Sequence, residues 1–229
     1  MNTSSLPRHI GFIVDGNRRW SKEKKLPSLI GHQKGYEAIE PIIMHAISLK
    51  IPYLTFWVFS TENWNRSKEE VDYLMELFRD LLHGDMVTRL KKEGVRMNVI
   101  GQLHRFSKDI IKDVNELISD TKNNTNTQTN FALSYGGRSE LVMAVNRILQ
   151  DKVTTVDESV ISSYLYTSGI PDPDLVIRTG GERRLSGFLP WQAVYSELYF
   201  TSTYWPDFTP LEFDKALEDF ASRNRRFGK

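Results

Sequence analysis

The sequence predicts a single α/β domain built on a mostly parallel central sheet of six strands flanked by helices. Six short segments are rich in β-branched and aromatic residues, and segments with a helical period of 3.6 residues separate most of them. This alternation is typical of parallel strands joined by right-handed crossovers. No linker interrupts the 229 residues, so we expect one domain over residues 1–229. The predicted strands are residues 10–15, 54–60, 95–100, 130–135, 175–178 and 197–200.

Two helices are predicted most clearly by their periodicity. Residues 67–90 carry one apolar stripe, and Ser67 with Glu70 has the pattern of a capping box at the helix start. Residues 35–49 form the other pattern, which contains Pro41. Because proline lacks a backbone N–H and clashes with the preceding turn, Pro41 should start or kink that helix.

The composition argues against several classes of function. Thirty basic and 29 acidic residues leave a formal net charge of +1, which favours neither nucleic acid nor an anionic membrane. The chain has no cysteine, so it has no disulfide or thiolate metal site, and this fits a reducing compartment. No signal-peptide pattern or apolar run of ~20 residues is present. We expect a cytoplasmic protein, at most peripheral at a membrane, that binds no nucleic acid.

The segment 173–186 contains the most informative pattern of the chain. A short apolar strand leads into two glycines and three arginines, and a serine follows. Ligands of α/β sheets bind at the carboxyl ends of strands, where arginine forks match phosphate oxygens and glycines let backbone N–H groups approach an anion. The segment therefore predicts a pocket for a phosphorylated substrate, with a solvated basic turn as the alternative. Its polar members include Arg178, Arg183, Arg184 and Ser186.

The first strand also ends in polar residues that suit a phosphate site. Asp15 follows the strand, and a carboxylate there can hold Mg²⁺ whose shell is completed by substrate phosphate oxygens. Gly16 permits a tight turn, after which Arg18 and Arg19 could hold an anion. A phosphatase that forms an aspartyl phosphate would begin similarly but usually needs a second aspartate two residues on, where this chain has Asn17.

Three further positions are ambiguous from the residues alone. Residues 60–66 combine a hydroxyl, a carboxylate, an amide and a guanidinium at a strand end, which suits a site, but taken alone the segment favours a solvated loop. His32 is either a helix cap or a ligand. Glu197 stands among apolar neighbours, where a carboxylate needs a partner, so it is either a second Mg²⁺ ligand or part of an ion pair.

Together these blocks resemble the cis-prenyltransferases, most closely the bacterial type that makes undecaprenyl diphosphate. The blocks occur in the family order and extend from residue 9 to residues 225–228, so the resemblance covers essentially the whole chain. The matching blocks are residues 15–20, 31–35, 59–66, 135–138, 174–186, 188–198 and 205–208.

The resemblance implies a reaction, a cofactor and partners. Such enzymes condense isopentenyl diphosphate with an allylic diphosphate, for example farnesyl diphosphate, and each new double bond is cis. The resemblance further implies Mg²⁺, a homodimer, transient membrane association through the product, and an apolar tunnel between the sheet and the segments 35–49 and 70–90. A short-chain synthase and a non-catalytic subunit of the same fold remain alternatives, and the product length is open.

The resemblance also implies roles for individual residues. Asp15 would coordinate Mg²⁺ on a diphosphate, and Glu197 would contribute to metal binding, with the partner subunit as one possible source. Ser60 and Asn63 would assist removal of the proton from the incoming unit. The residues implied in the allylic diphosphate site are Gly16, Asn17, Arg18, Arg19, Trp20, Ser28 and His32; those in the isopentenyl diphosphate site are Arg178, Arg184 and Ser186; those that shape the site and its mobile loop are Glu62, Trp64 and Arg66.

Four positions depart from the pattern of the family. Ser28 occupies a position that is usually arginine, and Lys24 or Lys25 is a candidate to replace that charge. A lysine, however, is a point charge rather than a fork. The other departures are Ser67, Gly187 and Pro190. All four lie beside the diphosphate sites, so we expect them to affect substrate affinity and chain length more than the reaction itself.

Overall fold

The computed structural model describes residues 6–223 and contains the predicted sheet. Each pair of neighbouring strands is parallel, in the order β3-β4-β2-β1-β5-β6. The six strands overlap all six predicted segments, which confirms the fold class. Their bounds are β1 (His9–Ile13), β2 (Tyr53–Ser60), β3 (Arg96–Ile100), β4 (Gln128–Tyr135), β5 (Leu175–Arg178) and β6 (Glu197–Phe200).

Helices connect the strands and cover both faces of the sheet. Three short 3₁₀ helices, Thr61–Asn65, Leu103–Arg105 and Trp205–Asp207, add single turns within residues 6–223. The α-helices of this part of the chain are α1 (Asn17–Glu23), α2 (Ser28–Glu37), α3 (Ile39–Ser48), α4 (Lys68–His83), α5 (Asp85–Lys92), α6 (Lys108–Thr121), α7 (Gly137–Gln150), α8 (Glu158–Tyr164) and α9 (Pro210–Ser222).

Both helices predicted from periodicity are shorter than expected. The segment 67–90 is broken at Gly84, whose ψ of 165° is extended, because glycine gains little from helical geometry. The segment 35–49 is broken at Ala38, where α2 gives way to α3. Pro41 lies in the first turn of α3, where its missing N–H would have no partner within the helix, so it does start a helix as predicted.

The central strands are buried because helices cover the sheet on both sides. All five residues of β1 and all four of β5 are buried, as expected for parallel strands between helical layers. On one face Phe12 stacks on Phe56 with ring centroids 4.7 Å apart, and Phe213 of α9 packs edge-on against Phe12. On the other face Phe188 covers the sheet beside Trp57. This packing fixes the strand ends that carry the polar residues.

Within residues 6–223 no helix combines the length and the apolar character needed to cross a bilayer.

His9, at the amino end of β1, makes the fold sensitive to acid. Its ring is buried between the carbonyl oxygen of Pro171 and the hydroxyl of Thr55, at 2.6 and 2.8 Å. Burial lowers the pKa of His9 from 6.5 to about 4. The unfolded chain therefore binds a proton between pH 6.5 and pH 4 that the folded chain does not, so stability falls as the pH drops through this window.

Acidification from pH 7 to pH 5 should lower the free energy of unfolding by about 2 kcal/mol through His9. Urea unfolding of the wild type and of His9→Gln at both pH values measures it. The variant should be less stable at pH 7 but should lose less on acidification. Equal losses in both proteins would show that His9 is not the titrating group.

Candidate active site

A cavity of about 680 Å³ lies at the edge of the sheet where β1, β2 and β5 end. Because the strands are parallel, their carboxyl ends meet there, and α1, α2 and α4 supply the rest of the wall. Most of the site residues predicted from sequence line this one cavity. They are Asp15, Gly16, Asn17, Arg18, Arg19, Ser28, His32, Ser60, Asn63, Arg66, Arg178 and Ser186.

Two arginines from different elements hold the Asp15 carboxylate. Its oxygens lie 2.9 Å from Nη2 of Arg178 and 3.1 Å from Nη2 of Arg19. Arg178 is buried at the end of β5, and its Nη1 also donates to the hydroxyl of Ser186 at 2.8 Å and to the carbonyl oxygen of Arg184. The arginine from the segment 173–186 is thus joined directly to the aspartate that follows β1.

Gly16 makes the turn that brings α1 over the cavity. Its φ of 111° is a conformation that favours glycine, and an added Cβ would lie 2.6 Å from Cδ1 of Tyr204. The turn places Asn17, Arg18 and Arg19 on the cavity wall. The side-chain oxygen of Asn17 is buried and accepts no hydrogen bond from the described residues.

Glu70, which the sequence suggested only as a helix cap, is not part of the cavity lining but contacts three residues that are. Its Oε1 lies 3.0 Å from both Nε2 of His32 and Nη1 of Arg66, and its Oε2 lies 3.9 Å from Nη1 of Arg18. Burial opposes ionisation, but the hydrogen bond with His32 and the charges of Arg66 and Arg18 lower the pKa of Glu70 below its ordinary value. The carboxylate is therefore ionised at neutral pH.

Ser60 and Asn63 interact with each other beside the cavity. Asn63 Oδ1 accepts a hydrogen bond from the backbone N–H of Ser60 at 2.9 Å, and the Ser60 side chain caps the 3₁₀ helix Thr61–Asn65 in return. Both side chains line the cavity while they hold this turn. Arg66 follows the turn and reaches Glu70, so the loop is tied to α4.

Five of the predicted residues lie outside the cavity lining, namely Trp20, Glu62, Trp64, Arg184 and Glu197. Trp20 belongs to α1 and is buried, and Glu62 is exposed. Trp64 packs on Phe59, and its indole N–H donates to the Ser134 hydroxyl at 2.9 Å. The exposed guanidinium of Arg184 pairs with Glu182 at 2.6 Å. In this arrangement Trp64 positions the loop, and Arg184 contacts Arg178 through its carbonyl oxygen.

Glu197 lies at the opposite edge of the sheet from Asp15. It begins β6 and is in register with Leu175, the first residue of β5, whereas Asp15 follows the end of β1. Its carboxylate accepts a hydrogen bond from Nη1 of Arg223 at 2.7 Å. Within one chain, Glu197 and Asp15 therefore do not share a metal ion, and a contribution of Glu197 from a second copy stays a prediction. The family block at residues 225–228 lies outside the described residues.

The donors at the cavity fit Mg²⁺ only together with phosphate oxygens. In residues 6–223 no group of three histidine, cysteine, aspartate or glutamate side chains could hold a metal by itself. Asp15 lines the cavity, and its carboxylate supplies oxygen donors of the kind that Mg²⁺ prefers. Because Mg²⁺ usually takes one or two protein ligands and completes its shell with water and substrate phosphate, this donor set suits an ion that arrives with a diphosphate.

Two small apolar cavities continue from the polar one into the core. One, of about 40 Å³, lies between the sheet, α2 and α4 and shares Asn17, His32 and Leu74 with the main cavity. The next, of about 20 Å³, is lined by Phe78 and Leu81 of α4 and by residues of α6. These cavities lie on the side of the sheet where the tunnel was expected, and they are narrow.

Lys22 lines the cavity although the sequence did not single it out. It lines the cavity with Ser28, whereas Lys24 and Lys25 do not, and Lys24 lies over the Trp20 ring. In the described part of the chain no carboxylate pairs with Lys22. The signal was present, since Lys22 is four residues after Arg18 and so lies on the same face of α1.

Comparison with known proteins identifies the family. The family model described as "Putative undecaprenyl diphosphate synthase" matches residues 13–228. The chain belongs to this family. An isoprenyl transferase of Aquifex aeolicus (strain VF5) is 46% identical over 224 residues, which cover 98% of this chain and 96% of that protein. An isoprenyl transferase of Bacillus anthracis is 44% identical over 229 residues, which cover 97% of this chain and 88% of that protein.

Two solved structures share the whole architecture of this chain. Lavandulyl diphosphate synthase from Lavandula x intermedia, in complex with dimethylallyl diphosphate, superposes with a TM-score of 0.94 at 32% identity and covers 99% of this chain and 100% of that one. A probable undecaprenyl diphosphate synthase from Campylobacter jejuni gives a TM-score of 0.82 at 31% identity, with coverage of 97% and 99%. The resemblance found in the sequence is confirmed.

Proposed function

We propose that this protein condenses isopentenyl diphosphate with an allylic diphosphate, such as farnesyl diphosphate, to give a cis-polyprenyl diphosphate such as undecaprenyl diphosphate. The observation that carries the proposal is one cavity that combines Asp15, several cationic side chains and an apolar continuation into the core. A substrate with a diphosphate head and a hydrocarbon tail matches both halves of this site. Relatives named isoprenyl transferase support the same reaction class.

The cations of the cavity suit the bond that breaks. The C–O bond of the allylic diphosphate is cleaved, a C–C bond forms to the terminal alkene carbon of isopentenyl diphosphate, and one proton leaves that unit. Negative charge spreads over the departing diphosphate, and Arg18, Arg19 and Arg66 are already placed to stabilise it. Gly16 and His32 complete the allylic site, and Ser60 and Asn63 lie where they can assist the loss of the proton.

The second diphosphate has a site on the neighbouring wall. Arg178 and Ser186 are held together at the end of β5 and face the same cavity as the residues of α1. Arg184 contacts Arg178 through its carbonyl oxygen, so its exposed guanidinium is free to swing from Glu182 toward an incoming isopentenyl diphosphate. Two diphosphate sites in one cavity hold the reacting carbons adjacent, which replaces a bimolecular encounter by a positioned one.

Asp15 would hold Mg²⁺ once a diphosphate is present. The ion would act as a Lewis acid on the diphosphate oxygens and stabilise charge on the leaving group. Arg178 and Arg19 would hold the Asp15 carboxylate in position for the ion, because both pair with it. Magnesium dependence is therefore part of the proposal.

The remaining expectations concern assembly and location. Val142, Val145 and Leu149 form an exposed apolar face on α7, and Val194 and Tyr195 are also exposed. Apolar side chains of this kind suit burial against a second copy, which supports a homodimer. We place the enzyme in the cytoplasm, in transient contact with the membrane that receives its product, which would serve there as a lipid carrier for cell-wall synthesis.

The proposal is tested by incubating purified protein with farnesyl diphosphate, radiolabelled isopentenyl diphosphate and Mg²⁺ and sizing the extracted products. A ladder that requires Mg²⁺ and ends in one long species is the expected result. A single short product would retain the chemistry and identify a short-chain synthase. No product with any allylic primer would overturn the proposal in favour of a non-catalytic subunit.

Lys22 is expected to supply the cationic contact that Ser28 does not. Replacing Lys22 with methionine should raise the KM for the allylic diphosphate about tenfold, because a hydrogen bond to a charged group is lost. Steady-state kinetics with isopentenyl diphosphate in excess measure this. Lys24→Met is the matched control and should leave KM unchanged. Adding Ser28→Arg to Lys22→Met should restore much of the affinity, and an unaltered KM in Lys22→Met would remove this residue from the site.

A further inference from the structure

Glu70 is the meeting point of three side chains that come from separate elements. His32 belongs to α2, Arg66 follows the 3₁₀ turn after β2, and Arg18 belongs to α1. They lie 3.0, 3.0 and 3.9 Å from the carboxylate oxygens of Glu70. The Glu70 side chain is 12% exposed, so its charge is partly shielded from water. One carboxylate therefore holds together one corner of the diphosphate cavity.

Glu70 lies in the first turn of α4, at the position where a glutamate ordinarily caps the helix. In a capping box the glutamate at the third helical position reaches back to the N-cap backbone, here that of Ser67. The Ser67 hydroxyl does accept a hydrogen bond from the Glu70 N–H at 3.3 Å. The Glu70 carboxylate instead reaches His32 and Arg66, so half of the capping box is given up for contacts at the cavity.

The arginines that line the cavity divide into two groups. Arg178 and Arg19 pair with Asp15, and Arg66 and Arg18 pair with Glu70. Cationic side chains this close together would repel one another in an empty cavity, and the carboxylates offset that repulsion. A diphosphate that enters carries at least two negative charges and competes for the same guanidinium groups, whose forks match phosphate oxygens.

We propose that Glu70 is an internal counter-anion of the allylic diphosphate site, which holds Arg66 and Arg18 in the empty cavity and yields them to the diphosphate. The inference rests on the proposed function and assigns a positioning role that opposes substrate affinity. Glu70 retains His32 when the arginines turn to the phosphate. The same exchange in reverse returns the arginines to Glu70 and favours release of inorganic diphosphate after each condensation.

The test is the affinity for inorganic diphosphate, measured by titration calorimetry on the full chain without any prenyl substrate. Glu70→Gln removes the charge but keeps the shape, and it should bind inorganic diphosphate about tenfold more tightly because a competing anion is gone. Glu69→Gln makes the same charge change at an exposed position of the same turn and should stay within about twofold of wild type. Unchanged or weaker binding by Glu70→Gln, or an equal gain in Glu69→Gln, would overturn the inference.

Kinetics and a structure of the wild type provide independent readouts. In Glu70→Gln the KM for the allylic diphosphate should fall while the KM for isopentenyl diphosphate is unchanged, and kcat should fall as diphosphate release slows. Glu70→Asp keeps the charge and should bind inorganic diphosphate like the wild type. If Glu70→Gln does not fold, a crystal of the wild type soaked in inorganic diphosphate tests the inference instead. Arg66 should then contact phosphate. An intact Arg66–Glu70 pair beside bound phosphate would contradict the exchange.

These outcomes separate the inference from the proposed function. Diphosphate binding that responds to Glu70 in a protein without prenyl transfer would uphold the counter-anion role and refute the reaction. Prenyl transfer in a protein whose affinity for inorganic diphosphate does not change with Glu70→Gln would uphold the reaction and refute the counter-anion role.

Discussion

Replacing Asp15 with asparagine is expected to lower kcat about 1,000-fold, or ~4 kcal/mol in the activation barrier, while the protein stays folded. Asparagine retains an oxygen that accepts the hydrogen bond from Arg178, so the buried guanidinium keeps a partner. The lost charge is the one that would bind Mg²⁺ on the diphosphate. Single-turnover kinetics at saturating Mg²⁺ measure the effect, and thermal unfolding checks the fold.

A matched control for Asp15→Asn is Asp172→Asn, the same change at an exposed position before β5, at the other edge of the sheet. It should leave kcat unchanged. Turnover by Asp15→Asn within tenfold of wild type would show that the carboxylate is not essential and would remove the metal role from Asp15.

The second large effect is expected for Arg178→Lys, which should lower kcat/KM for isopentenyl diphosphate about 100-fold. Arg178 donates at once to Asp15, Ser186 and the carbonyl oxygen of Arg184. A lysine ammonium is a point charge and cannot satisfy this planar set of acceptors. Steady-state kinetics with the allylic substrate in excess give the value, and loss of two hydrogen bonds should lower the free energy of unfolding by about 2 kcal/mol.

Arg183→Lys tests whether that effect belongs to the geometry of Arg178 rather than to the basic segment as a whole. Arg183 lies in the same loop and is exposed. Its conversion to lysine should change kcat/KM by less than about twofold, as for other exposed positions. Comparable losses in Arg178→Lys and Arg183→Lys would mean that the segment acts through its net charge alone.

Much of the site could be predicted because its residues follow strand ends. Asp15, Ser60 and Arg178 each lie at the carboxyl end of a strand, and a parallel sheet brings such ends to one edge. Residues close in sequence to these ends, such as Asn17 and Ser186, entered the cavity with them. Local position in the chain was sufficient in these cases.

A residue at the start of a strand lies at the opposite edge of a parallel sheet from a residue at the end of one, and the prediction for Glu197 did not take this into account. Glu197 begins β6 rather than ending it, so it lies far from Asp15 in the same chain. Glu70 was hidden because its pattern with Ser67 also predicts an ordinary helix cap. Only the tertiary arrangement brings Arg18, His32 and Arg66 to it. The break at Gly84 was missed because the apolar stripe continues across it.

Helix α4 lines the diphosphate cavity and both apolar cavities that follow it. Its 16 residues span about 24 Å, with Glu70 in the first turn at the diphosphate end and Phe78 and Leu81 along the apolar cavities. In the proposed reaction a growing hydrocarbon tail would have to widen these cavities, and α4 is a wall that both of them share. The helix that borders the path of the tail therefore also carries the carboxylate that contacts Arg66 and His32 beside the head group.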